Sequence, residues 1–257
     1  MNTPNNTIRL LVTNHNTASY NMALDEAIMN HVKDGTVPPT LRLYQWNPPA
    51  ITIGYFQSME AEVDLEQCKK LSIDFTRRIT GGGAVLHDKE TTYSLILPEK
   101  NQIVTGTIME SYRQICGAVI VGLQQFGLAG QFVPINDILV NGKKISGNAQ
   151  TRRNGCILQH GTILMDVDVK KMFSLLKVPD EKIRDKMIAN VEKRVTSIKH
   201  QLKKDVNFRQ VCNALVKGFE EHLHVKLEPG QLLESEKEMA RELAVQKYET
   251  DEWVFKK

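Results

Sequence analysis

Four cysteines, Cys68, Cys116, Cys156 and Cys212, are scattered over 257 residues with no Cys-x-x-Cys spacing. That pattern fits neither a zinc site nor a disulfide framework and reads as reduced, packed thiols. No apolar run approaches the roughly 20 residues needed to span a bilayer, so no membrane partner is expected. A net charge of +3 is too small to argue for nucleic-acid binding, although a modestly basic face suits an acidic protein partner. The start, Met1-Asn2-Thr3-Pro4-Asn5-Asn6-Thr7, lacks the basic region and apolar core of a secretory signal. A cytoplasmic location is the expectation. Internal repeats and low-complexity tracts are missing, and so is the Gly-x-x-x-x-Gly-Lys-Ser/Thr phosphate loop. His222 and His224 have no third ligand in view, which speaks against a metal there.

What is present is an ordinary globular balance, 41% hydrophobic and 25% charged. The chain is long enough to bury a real core in one domain. Alternation predicts strands over 8–13, 41–46, 50–55, 71–76, 91–97 and 156–165, with Asn47-Pro48-Pro49 as a hairpin-like turn. Asn14-His15-Asn16 reads as a turn. Helical spacing marks 19–32, 64–71 capped by Asp64, 103–126 ended by Gly127, and then 171–176, 180–189, 208–222 and 234–248. Asn141-Gly142 is the strongest hairpin signal. The expectation is one α+β domain over 1–257, with mixed or antiparallel sheets, helices packed against them and a helical part over 168–257.

Chemistry concentrates in two stretches. Between two predicted strands runs Arg77-Arg78-Ile79-Thr80-Gly81-Gly82-Gly83-Ala84-Val85-Leu86-His87-Asp88. Three glycines give backbone N–H groups access to an anion, and Arg78 adds a cationic fork able to hold a phosphate. A strand follows the triplet, whereas a dinucleotide fingerprint needs a helix there. The second stretch is the hairpin bearing Asn136-Asp137 on one arm and Lys144-Ile145-Ser146-Gly147 on the other, with Asp137 and Lys144 facing one side. In a plain hairpin such an exposed pair is a salt bridge worth about 0–1 kcal/mol. Joined to the glycine loop, it offers a fixed cation, N–H donors and a carboxylate for a metal. Those are the parts that would stabilise charge while ATP activates a carboxylic acid.

Taken together and in order, Arg-Arg-x-Thr-Gly-Gly-Gly-Ala-Val-x-His-Asp, Asn-Asp, Lys-Ile-Ser-Gly-x-Ala-Gln and His-Gly-Thr-x-Leu resemble the lipoate-protein ligase A group of the biotin/lipoate ligase superfamily. The likeness extends from the Asn21-Met22-Ala23-Leu24-Asp25-Glu26 helix to Glu252-Trp253. It implies a catalytic domain that makes lipoyl-AMP from lipoate and ATP with Mg²⁺, and passes the lipoyl group to a lysine of a lipoyl-domain or glycine-cleavage H-like acceptor. Carried over by motif, Lys144 is the catalytic residue and Asp137 the metal residue. Arg78, Gly81, Gly82, Gly83, Ala84, Val85, Leu86, His87, Asn136, Ser146, Gly147, Ala149, His160 and Thr162 make up the substrate and ATP site. Trp46 and Trp253 are read as packing.

Larger members of that group carry an accessory domain after the Trp-containing segment, and this chain stops there. The ligase reading therefore allows for a separate small accessory subunit. Octanoyltransferases of the LipM type share the short length and use a cysteine nucleophile. Gly130 to Asp137, where that nucleophile would lie, holds no cysteine, and Cys156 is read as packed. The alternative to the ligase is thus an octanoyl or lipoyl transferase acting through a thioester. A non-catalytic lipoyl-binding subunit is disfavoured by the intact Lys144 and Asp137.

Overall fold

The computed structural model describes residues 6–177 and 181–256. Its strands are Thr7–Asn16 (β1), Thr40–Trp46 (β2), Ala50–Ile53 (β3), Asp74–Arg77 (β4), Val85–His87 (β5), Glu90–Pro98 (β6), Gly130–Val133 (β7), Asp137–Val140 (β8), Lys143–Arg153 (β9), Cys156–Leu164 (β10) and Lys226–Pro229 (β11). Helices are Ala18–Lys33 (α1), Met59–Glu62 (α2), Leu65–Lys70 (α3), Ile108–Gln124 (α4), Val169–Ser174 (α5), Glu181–Arg194 (α6), Ile198–Leu202 (α7), Phe208–Leu223 (α8), Glu234–Leu243 (α9) and Asp251–Val254 (α10). Their starts follow local chemistry. Thr17, Asp64 and Asn207 each accept an N–H of the first turn, and Thr107 with Glu110 closes a capping box on α4.

Eight strands form one sheet in the order β11-β1-β2-β6-β10-β9-β8-β7, and three form a small sheet, β4-β3-β5. β1 runs parallel to β2 and to β11, while the remaining pairs of the large sheet are antiparallel. This is the mixed α+β fold expected, and period-2 alternation sorts its faces. Leu41, Leu43, Tyr93, Leu95 and Ile163 point into a core with α4 and α8. Tyr44, Trp46, Ile96, Cys156 and Leu158 point to the other side, beneath α1 and α9.

Four expectations are corrected. Asn47-Pro48-Pro49 does not close a hairpin: β2 belongs to the large sheet and β3 to the small one, so the chain changes sheets there. Leu71, Ser72 and Ile73 are not strand, because Leu71 ends α3 and Ser72 takes φ 52° before β4 begins. Asn14 to Asn16 stay in β1, with the irregularity absorbed by a bulge between Val12 and Asn14. The carboxyl-terminal part is not purely helical, since β11 pairs with Thr7 to Leu10 at the sheet edge. The expected helix over 180–189 starts at a residue outside those described. From Glu181 it runs to Arg194.

Candidate functional site: a cavity between the two sheets

The sheet change after β2 and the return from β5 to β6 set the glycine-rich stretch against the open part of the large sheet, beside α1. Gly54 makes this closeness possible. A Cβ there would sit 2.0 Å from the Gly82 carbonyl oxygen, and Gly82 itself has φ +102°. A glycine at each position lets the small-sheet loop seat on its neighbour without a clash. Between the sheets lies a cavity of about 340 Å³, bounded also by α5 and by Val191 of α6.

Of the residues singled out from sequence, Arg78, Gly82, Gly83, Ala84, Val85, Leu86, His87, Asn136, Lys144, Gly147, Ala149, His160 and Thr162 line this cavity. Gly81, Ser146 and Asp137 do not. Ser146 is fully buried and bonds with Asn148 Nδ2 at 3.3 Å. The Gly81 carbonyl accepts from Arg78 at 2.9 Å.

Lys144 and Asp137 do meet: Nζ and Oδ1 are 2.6 Å apart, on side chains 40% and 32% exposed. The ladder sets Asp137 opposite Gly147, and a bulge after Ile138 puts Lys144 opposite Leu139. The lysine stem folds across Gly147, where a Cβ would stand 2.9 Å from Cε and 3.0 Å from Nζ. Asn136 and Asn148 join the loop before β8 to β9 through two side-chain amide bonds to backbone carbonyls, one each way. Asp137 Oδ1 lies near the ammonium but accepts no hydrogen bond. Among the described residues no group of three or more His, Cys, Asp or Glu could hold a metal.

Arg78 lines the cavity, yet every N–H it has is committed. Nε reaches Thr80 Oγ1 at 3.3 Å, Nη1 reaches Thr52 O and Oγ1 at 2.9 Å each, and Nη2 reaches the Gly81 and Gly83 carbonyls at 2.9 and 3.0 Å. It braces the glycine loop and keeps no donor for the phosphate contact expected of it. Burial lowers its pKa to about 10, which leaves it cationic at neutral pH.

The two cavity histidines are also engaged. His87 Nδ1 meets Glu90 Oε1 at 2.6 Å and Nε2 meets Thr52 Oγ1 at 2.8 Å, while Trp46 stacks on the ring at 3.9 Å. Trp46, read from sequence as packing, therefore forms cavity wall too. His160 Nε2 meets Thr80 Oγ1 at 2.7 Å, and Nδ1 faces Asp25 Oδ2 at 3.7 Å. Burial lowers the His160 pKa, with Asp25 opposing. Asp25 also accepts from Arg42 at 2.7 Å, Ser94 at 2.8 Å and Tyr44 at 3.0 Å. Burial alone would raise its pKa, but Arg42 and His160 outweigh that and hold it low.

Reading by motif missed Tyr44, Thr52, Glu90, Asn148, Met172, Val191 and Val195 as cavity lining. Thr52 and Glu90 carried one usable signal, since a buried His-Asp turn beside a strand needs hydrogen-bond partners on that strand. The apolar residues of α5 and α6 carried none. Arg77, at the start of the glycine-rich stretch, is structural: its guanidinium donates to the carbonyls of Gly54, Tyr55, Gln57, Trp253, Val254 and Lys256. No described helix is long and apolar enough to cross a membrane.

Residues 17–220 match the lipoyl protein ligase A/B catalytic domain. An octanoyltransferase LipM of Geobacillus kaustophilus is 40% identical over 262 residues, covering 93% of this chain and 94% of the relative. The octanoyltransferase LipM of Bacillus subtilis is 35% identical, covering 98% and 99%. Among solved structures, the bipartite lipoate protein ligase of Thermoplasma acidophilum, described with its E2 lipoyl domain, is 35% identical with TM-score 0.86, covering 97% and 96%. A lipoate-protein ligase A bound with ATP is 33% identical with TM-score 0.82, covering 96% and 98%. The octanoyltransferase relatives overturn the expectation of an ATP-dependent ligase. A catalytic-domain match over most of the chain, near-full-length relatives and the shared fold make this enzyme a member of the lipoyl protein ligase A/B family.

Proposed function

We propose that this chain is an acyltransferase that moves an octanoyl group, or its lipoyl counterpart, from an activated donor to a lysine of a lipoyl-domain or H-like acceptor protein. The observation that carries the reading is the set of relatives named octanoyltransferase, 35 to 40% identical over 92% or more of the chain. The acceptor class is supported by the lipoyl domain described with the Thermoplasma acidophilum ligase. The cavity suits the cargo. Leu86, Leu164, Met172, Val191 and Val195 supply apolar wall for a medium-length chain, and its volume of about 340 Å³ is at the small end of ligand pockets.

Transfer to an amine passes through a tetrahedral centre that carries negative charge on the former carbonyl oxygen. Lys144 lines the cavity and offers an ammonium to that oxygen, with Asp137 Oδ1 2.6 Å from its Nζ. Asn136 and Asn148 keep the Lys144 hairpin in register with the wall. The glycine loop, held by Arg78, borders the cavity at Gly82 and Gly83 with no side chain to narrow it. Neither histidine is the base of this scheme. Both nitrogens of His87 are hydrogen-bonded, and His160 has one nitrogen on Thr80 and the other turned to Asp25.

The test is acylation of a purified lipoyl domain by this chain with octanoyl carrier protein, read as the mass gain of the acceptor. Wild-type chain should modify the domain without ATP. Lys144→Ala should lower the rate about 10²–10³-fold, as loss of one oxyanion donor does. Unchanged transfer by Lys144→Ala would remove the lysine from the scheme, and no ATP-independent transfer by the wild type would refute the reading.

A further inference from the structure

Both substrates of an acyl transfer must reach the cavity, and they differ in charge at the point of entry. The acceptor brings a lysine, a cation in its resting state. The donor brings a neutral acyl thioester, which on a carrier protein or coenzyme A hangs from a phosphopantetheine arm with an anionic phosphate. A strongly basic surface beside the cavity therefore favours the donor and repels the acceptor lysine. The sequence holds one stretch able to make such a surface. Residues 193–204, Lys-Arg-Val-Thr-Ser-Ile-Lys-His-Gln-Leu-Lys-Lys, carry five lysines and arginines and no aspartate or glutamate.

The fold lays this stretch against the Lys144 hairpin. Val195 forms a bridge with Lys144, and the Thr196 N–H donates to the Lys144 carbonyl at 2.8 Å. At the hairpin turn, Asn141 Nδ2 donates to Gln201 Oε1 at 2.8 Å. The Lys199 N–H donates to the Met165 carbonyl at 3.0 Å, and its ammonium lies 3.5 Å from Asp166, which lines the cavity. Lys144 and Lys199 stand near the carboxylates of Asp137, Asp166 and Asp205. Lys143, Lys193, Arg194, Lys203 and Lys204 have no ion-pair partner among the described residues, and the last four are exposed. Five unpaired cations at one end of the molecule exceed the net +3 of the whole chain, so positive charge is gathered here rather than spread over the surface. Farther up α6, Ile183 and Met187 are 49% and 42% exposed and share a stripe with the cavity residue Val191, which sets apolar contact area beside the charges.

We propose that this basic rim, from the end of α6 through α7 to the β8–β9 hairpin, docks an acidic carrier protein that delivers the acyl thioester to the cavity. The inference rests on the acyltransferase reading above and adds the surface that receives its donor. Carboxylates of the carrier face Lys193, Arg194, Lys203 and Lys204, and the arm enters beside Lys144. The acceptor lysine comes in from a less basic side, over Gly82 and Gly83, which are exposed where they border the cavity. Attraction between exposed charges acts over a Debye length of about 8–10 Å, so it speeds encounter and weakens as salt rises.

The test compares the wild-type chain with a variant combining Lys193→Glu, Arg194→Glu, Lys203→Glu and Lys204→Glu, none of which lines the cavity. Each is assayed for octanoyl transfer to a purified lipoyl domain from two donors, octanoyl carrier protein and the neutral, phosphate-free octanoyl-N-acetylcysteamine. With the carrier protein, kcat/KM of the variant should fall about 10–100-fold, and added NaCl should slow the wild type but not the variant. With the small thioester, and in KM for the lipoyl domain, the two proteins should agree within about twofold, which also reports an intact fold. An unchanged kcat/KM with the carrier protein, an equal fall with the small thioester, or a raised KM for the lipoyl domain alone would overturn the inference and leave the acyltransferase reading standing. A wild-type chain that uses neither thioester would overturn both.

Discussion

Gly147→Ala separates the seat of Lys144 from its chemistry. The added methyl would stand 2.9 Å from Lys144 Cε and 3.0 Å from Nζ, closer than carbon atoms pack, while no other atom lies within 3.4 Å of it. The obstacle is the far end of a flexible side chain, so the lysine moves and the backbone stays. Stability should change by less than about 1 kcal/mol, since the pair given up with Asp137 is partly exposed. Activity should fall much further. A lysine displaced from Asp137 no longer faces the oxyanion position, and loss of one such donor costs about 10²–10³ in kcat, or about 2.7–4 kcal/mol. The assay is octanoyl transfer to a lipoyl domain for wild type, Gly147→Ala, Lys144→Ala and the double variant, with urea melts on the same samples. If the methyl acts through Lys144, the double variant is no slower than Lys144→Ala. A Gly147→Ala chain with wild-type kcat, or one that slows Lys144→Ala further, would refute the reasoning.

Three other outcomes follow from the buried polar groups. Asp25→Asn removes the counter-charge of the fully buried Arg42 and should cost about 3–5 kcal/mol, a fall in Tm of roughly 6–20 °C by scanning calorimetry. Because burial lowers the His160 pKa, the unfolded chain binds that proton more tightly; the histidine's contribution is complete above about pH 6.5 and is lost as pH falls toward its native pKa, at up to about 1.4 kcal/mol per unit. Urea melts from pH 8 to 5 should show that slope, and His160→Asn should flatten it. Arg77→Lys leaves three donors for six carbonyls and should cost about 1–3 kcal/mol and expose the α10 segment to limited proteolysis.

Long periodic elements were legible because burial writes them directly. α1, α4, α8 and β10 follow their 3.6- and 2-residue patterns to within a few residues. Partnership between strands was not. Asn47-Pro48-Pro49 looks like a hairpin turn because it joins two apolar runs, but nothing local says that Ala50 pairs with Asp74 and His87 in another sheet. β11 escaped for a related reason. Lys226-Leu227-Glu228-Pro229 offers one buried apolar residue and is strand only because β1 presents an unpaired edge.

At the site, sequence motifs found which residues gather and said less about what each one does. Arg78 shows why. A guanidinium beside three glycines fits a phosphate cradle equally well whether its donors face a ligand or the loop's own carbonyls, and only the fold decides that all five face inward. The same ambiguity explains the misread activity. In the role proposed for it, Lys144 on a hairpin facing the cavity would stabilise negative charge on an acyl oxygen, and that charge develops whether the carbonyl leaves a phosphate or a thiol. Motifs built around the shared step do not report the leaving group. Discrimination must come from residues that touch the departing half of the donor, and motifs shared across the family do not single those out.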